Sequence, residues 1–177
     1  LSALPSDPDY RSELESVIAH RDYVDHYSFD WRYPVAKEDV AASVSSLEEK
    51  TDALVATYPA NVELRLFDLV LLGYLYNLDV AGIQARIDAA AARAKADFPS
   101  DYRVPWLLGE YLAGAARPVE AVREFENALS LAPANGSLPP AFHEGYAAAC
   151  FYARMYRHAM AEYEAAAAGR GIRPADY

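Results

Sequence analysis

The chain has 177 residues, room for one ordinary domain with a real core. Apolar residues make up 53% and charged residues 24%, which excludes a disordered polymer. The net charge of −10 argues against nucleic acid as a partner, because neutralising phosphates takes clustered Lys and Arg.

Alanine supplies 35 residues and Val, Ile and Thr together only 18, a balance that favours helices over strands. Eight helices are predicted, near 9–27, 36–58, 61–77, 80–97, 102–114, 118–132, 140–154 and 157–168. The chain opens at Leu1 rather than Met, with no charged-then-apolar leader, and reads as a processed or trimmed form. A leader already removed is compatible with this, so cytoplasmic and exported locations both stay open. Acidity is concentrated early: residues 1–60 carry 12 acidic and 5 basic side chains, whereas residues 139–177 balance at 4 and 4. Next come Tyr23, Tyr27, Phe29, Trp31 and Tyr33, five aromatics within eleven residues. They suit either a recognition surface or a cover over the first repeat, and covering is favoured because a helical stack must hide its end.

Pro34, Pro59, Pro99, Pro118, Pro133, Pro139, Pro140 and Pro174 fall between the predicted helices, as befits a residue that starts helices and breaks their interiors. Asn61, Asp79 and Asp101 are the expected N-caps, with Pro105 tolerated in the first turn after Asp101. The longest apolar run, Leu69 to Tyr76, is too short to span a bilayer, so no membrane span is expected. Short connections place successive helices antiparallel.

The second half of the chain repeats itself. Leu72-Gly73 is followed twelve residues after its glycine by Ala85, and Leu108-Gly109 at the same interval by Ala121, then Phe125, Ala128 and Pro133. Tyr146-Ala147 is followed by Ala159, Tyr163 and Ala166, giving spacings of 36 and 38 residues. A small residue lets two helix axes approach, and a large residue from a neighbouring helix fills the gap left. These residues resemble the tetratricopeptide repeat (TPR) family, whose signature is a Leu-Gly pair, small alanines, an aromatic and a closing proline. Trp106-Leu107-Leu108-Gly109 through Pro133 fits best. The unit from Asn61 to Pro99 keeps Leu72, Gly73, Ala85 and Ala92 but has Ala89 at the aromatic position. The unit from Pro139 has Ala147 for the glycine and lacks the proline.

The resemblance implies an all-α fold, a right-handed α-α superhelix built as a TPR-like solenoid of antiparallel helix pairs. It divides the chain into an N-terminal helical cap over 1–60, pairs over 61–99, 100–138 and 139–171, and a short tail, together one structural domain. The last helix then offers Met160, Tyr163, Ala166 and Ala167 with only residues 169–177 to cover them. Fold-back of the tail, with Ile172 and Tyr177 on that helix, is favoured over pairing with another chain.

Residues able to carry chemistry are few. His20, Asp22, Asp25 and His26 form the most metal-like cluster, but histidines six apart lie on different helix faces, so no metal is expected. His143, Cys150 and His158 offer a conceivable nucleophile set. However, His143 and Cys150 stand about 10 Å apart along a helix axis, and a packed thiol is the simpler reading. No phosphate loop, nucleophile elbow or zinc-protease helix occurs, so neither enzyme nor cofactor is expected.

The resemblance puts one face of each repeat's first helix on a concave groove. The matching groove residues are Phe67, Tyr74 and Asn77, then Arg103, Trp106 and Glu110, then Glu144 and Tyr152. Co-chaperone members of the family grip a peptide's terminal carboxylate with Lys, Asn and Arg; Val70, Tyr74, Leu107, Ala141 and Gly145 stand at those places, so that activity is not carried over. The implied function is a non-catalytic scaffold that binds a protein or peptide in the groove. The alternative is an assembly module packing on a second copy or another domain. Trp106, Tyr74 and Tyr152 are the rings expected at the centre of the groove.

Overall fold

Helix boundaries follow the punctuation closely. The structure is a computed structural model that describes residues 8–19, 36–133 and 138–171. Its elements are α1 (Pro8–Ala19), α2 (Lys37–Thr57), α3 (Val62–Asn77), α4 (Ile83–Asp97), α5 (Arg103–Gly114), α6 (Pro118–Leu131), α7 (Pro140–Tyr152) and α8 (Tyr156–Gly169). Among the described residues there is no strand, and no helix is long and apolar enough to cross a membrane. The aromatic segment Tyr23–Tyr33, the His20–His26 cluster and the tail residues Ile172 and Tyr177 lie outside the described residues.

Asn61 caps α3 as expected, its side-chain oxygen accepting from the Leu64 N–H at 3.2 Å. Asp101 stands one residue before the N-cap of α5, which is Tyr102, and its carboxylate accepts from the Arg103 N–H at 3.0 Å. Asp79 is a correction: it ends α3 rather than starting α4. Its φ is +58°, and the Val80 N–H closes the turn onto the Leu75 carbonyl at 3.1 Å. Asp suits both places, because a short polar side chain caps helix starts and also tolerates the left-handed conformation of helix ends. The same turn recurs at Ala116 (φ +57°) and Arg154 (φ +63°), where the Arg117 and Met155 N–H groups donate to Leu112 and Cys150.

Helix packing divides the chain into two compact units, Leu1–Asp97 and Phe98–Tyr177. The division falls between the predicted pairs 61–99 and 100–138, and residue 60 lies inside the first unit. In that unit α1 packs on α2, α2 on α3, and α3 on α4. Val44, Leu47, Leu64, Leu71, Leu72, Leu75 and Ile87 fill its core, together with three buried charged residues, Glu48, Arg65 and Asp68. Glu48 meets Arg86 of α4 at 2.5 Å, and Arg65 reaches Asp97 at 3.0 Å. Tyr10 of α1 is buried against α2, its hydroxyl 3.0 Å from Thr51 Oγ1.

In the second unit α5 packs on α6, both pack on α7, and α7 packs on α8. Phe125 of α6 is the centre. A Cβ placed on Gly109 would sit 2.9 Å from its ring, and one on Gly145 would sit 3.0 Å from its tip. Both glycines are therefore required by close approach, and Phe142 and Tyr146 surround the same ring at 5.5 and 5.4 Å. The bracketing of Phe125 by small residues follows the sequence pattern.

The repeat register of the first unit needs correction. Ala85, Ala89 and Ala92 are exposed on α4, whereas Ile87, Ala91 and Ala94 are buried. These three stand 34 residues before Ala121, Phe125 and Ala128, the usual TPR length. Nothing lies within 4 Å of a Cβ built on Gly73, so Gly73 is no close-approach glycine. The end of α3 instead matches the end of α5 at 37 residues, Asn77 against Gly114. The difference is taken up in the α3–α4 turn, where Gly82 adds a second left-handed residue (φ +78°). The register of the last pair agrees with expectation: Tyr146, Ala147, Ala159 and Ala166 are buried.

Candidate functional site

The eight groove residues divide between the units. Phe67, Tyr74 and Asn77 are half-buried on α3 of the first. The one-residue slip of α3, from the expected 36 to 37, removes the correspondence that linked them to α5. Arg103, Trp106, Glu110, Glu144 and Tyr152 lie on α5 and α7 of the second unit, and these two helices share one face.

Trp106 forms the edge of that face. Its ring meets Phe142 edge-on at 5.7 Å and stacks on Tyr102 at 6.4 Å, leaving it half-buried. Its indole N–H donates to Glu110 Oε1 at 2.7 Å, one turn further along the helix, which fixes both side chains. The exposed Glu110 leans toward α7, and its Cγ would lie 3.6 Å from a Cβ on Gly145. Across the face, Tyr152 is 67% exposed and Glu144 pairs with Arg170 at 2.6 Å. Ala141, Gly145 and Ala148 offer no bulk between them, so the α7 side is low.

Arg103 is committed elsewhere. Its Nε and Nη2 donate to Asp101 at 3.0 and 2.7 Å, and those bonds hold the Asp101 carboxyl below its ordinary pKa. This ion pair sits on a shallow cleft of about 610 Å³ between the entry to α5 and the end of α6, walled by Phe98, Tyr102 and Leu131. Sequence reasoning missed the cleft. Its only signal was Phe98-Pro99-Ser100-Asp101, a loop with an aromatic left over after capping.

The nucleophile set does not assemble. Cys150 is fully buried, and burial, with Glu162 and Glu126 nearby, pushes its thiol up to about 11. A thiol held protonated is a packing group rather than a nucleophile. His143 Nδ1 instead lies 2.7 Å from Glu162 Oε2, and His158 Nε2 lies 3.6 Å from Oε1 of the same carboxylate. The Glu162 carboxylate thus bridges histidines of α7 and α8 and ties the pair together. Among the described residues, no three His, Cys, Asp or Glu side chains converge as metal ligands would.

No protein-family model and no curated protein sequence matches the chain. One solved structure, titled "MamA MSR-1 C2", is similar, with a TM-score of 0.54 over 93% of this chain and 98% of that one, at 16% sequence identity. At that identity the likeness shows the fold alone: an all-α, TPR-like solenoid of antiparallel helix pairs.

Proposed function

We propose that the chain is a non-catalytic scaffold that holds a protein or peptide against the α5–α7 face of its second unit. The observation that carries this reading is the fixed pair of Trp106 and Glu110, set where α5 packs on α7, the helix that also carries the exposed ring of Tyr152. A pre-set aromatic contributes contact area at little entropic cost, and its hydrogen-bonded carboxylate orients a basic or amide group of the ligand. Helical repeats commonly present such faces to polypeptides, although fold alone assigns no ligand. A second reading, an assembly module, is favoured by the apolar side of α8, where Met160 and Tyr163 are 63% and 48% exposed.

The test is selection of a displayed peptide library on the immobilised chain, followed by titration of an enriched peptide. Tyr152→Ala and Glu110→Gln should each weaken binding by about tenfold, at unchanged melting temperature, because both side chains are exposed. Failure to enrich any peptide, or equal binding by both variants, would remove the α5–α7 face from consideration.

A further inference from the structure

The two second helices of the second unit are built to one pattern, and only one of them is covered. At the 38-residue spacing, Val122 and Phe125 of α6 correspond to Met160 and Tyr163 of α8. Val122 and Phe125 are 5% and 0% exposed, and α7 packs on their helix with Gly145 close to the tip of the Phe125 ring. Met160 and Tyr163 are 63% and 48% exposed. With Tyr156, which is 55% exposed, they occupy positions i, i+4 and i+7, one continuous side of a helix. This side of α8 therefore has the composition of a helix-receiving surface, with no described helix on it.

Its neighbouring row says which helix fits. Arg157, Ala161 and Glu164 are all exposed beside the apolar side, again at i, i+4 and i+7. The two charges stand equally far from the point between Met160 and Ala161. Two copies of α8 packed antiparallel about that point oppose Arg157 of each to Glu164 of the other. The same arrangement sets the large Met160 against the small Ala161. A parallel arrangement would oppose like to like and is repelled. Large beside small and plus beside minus, each related by one two-fold axis, is the complementarity of an isologous dimer.

We propose that α8 pairs antiparallel with α8 of a second copy of this chain, around a two-fold axis near Met160 and Ala161. A 14-residue helix is about 21 Å long, so the contact falls short of the roughly 800 Å² per partner of tight complexes. The pairing is accordingly concentration-dependent, in the micromolar range.

Sedimentation velocity from a few to a few hundred micromolar tests this on the full chain. The expected result is a rise from monomer to dimer mass and no further. Met160→Glu should remain monomeric throughout with an unchanged helical spectrum, since the residue lies on the surface. Arg157→Glu should weaken the dimer by about tenfold, and Arg157→Glu with Glu164→Arg should restore it. A monomer at every concentration overturns the proposal, as does a mass beyond the dimer. A dimer that survives Met160→Glu, or a double exchange no tighter than the single, overturns it equally.

Discussion

Two helical glycines, Gly73 and Gly109, should respond to alanine with opposite signs. In open space the exchange gains about 0.5–1 kcal/mol, because glycine is the poorer helix former and loses more freedom on folding. Gly73 meets that condition in the middle of α3, with nothing within 4 Å of the added carbon. At Gly109 the added carbon would lie 2.9 Å from both Cδ2 and Cε2 of Phe125. The ring has little room to retreat, since Phe142 and Tyr146 pack against it with centroids at 5.5 and 5.4 Å. Overpacking of this kind costs about 1–3 kcal/mol and outweighs the helix gain. Urea unfolding of Gly73→Ala and Gly109→Ala reads both signs. A Trp31→Phe background leaves Trp106 as the single tryptophan, reporting the second unit. In a unit of this size a change of 1 kcal/mol moves the melting temperature by about 4–8 °C. Phe125→Leu should relieve the clash, so Gly109→Ala costs less in that background than alone. If Gly109→Ala stabilises the second unit, or its cost is the same with Phe125→Leu, the close crossing around Phe125 is not as described.

Burial, and then the Glu48 and Asp52 carboxylates, raise the Asp68 carboxyl to about 7, well above its unfolded value near 3.8. The neutral acid is favoured in the fold, so the associated stability is fully present below about 4 and is lost as pH rises to about 7. Asp68→Asn should therefore flatten the decline of first-unit stability between pH 4 and 7, and an unchanged slope would refute the burial. Ala116, with φ at +57°, bears a strain that glycine does not, so Ala116→Gly should stabilise the second unit by about 0.5–1 kcal/mol in denaturant unfolding. Cys150 should react with a thiol reagent at pH 8 only as fast as the second unit opens, and rapid modification of the native chain would contradict its burial.

Much of the fold was legible because proline and capping residues are chemically specific. The helix ends fall within about three residues of the sequence reading wherever they are described. Phe125 was legible too, since a lone aromatic between small residues has one sensible place. α4 was misread because Ala85, Ala89, Ala90, Ala91, Ala92 and Ala94 satisfy any register. Ile83 and Ile87, one turn apart, were the signal that fixes it, and both are buried. Of the candidate site, the i, i+4 spacing of Trp106 and Glu110 made their hydrogen bond foreseeable. The capture of Arg103 by Asp101 was not, because a cap and a cation two residues apart give no hint which partner each prefers. Asp68 could have been suspected: Leu64, Asp68, Leu71 and Leu75 share one helical stripe, which places a carboxyl among leucines.

The two units fill the same kind of helix stack by different means. Among the described residues, every buried charged side chain belongs to the first unit, and the aromatic cluster of Phe125, Phe142, Tyr146 and Trp106 belongs to the second. In the first unit Ala91 stands where Phe125 stands in the second, and leucines of α3 supply the volume. Leucine lacks the flat surface that lets Phe125 fit between two glycines, so specificity there falls to polar contacts. Glu48 with Arg86 fixes α4 on α2, and Tyr10 with Thr51 fixes α1 on α2. Asp68 bears the cost of that arrangement, since its Oδ1 has no hydrogen-bond partner among the described residues. Asp68 therefore makes the first unit respond to proton concentration, and Phe125 makes the second respond to side-chain volume.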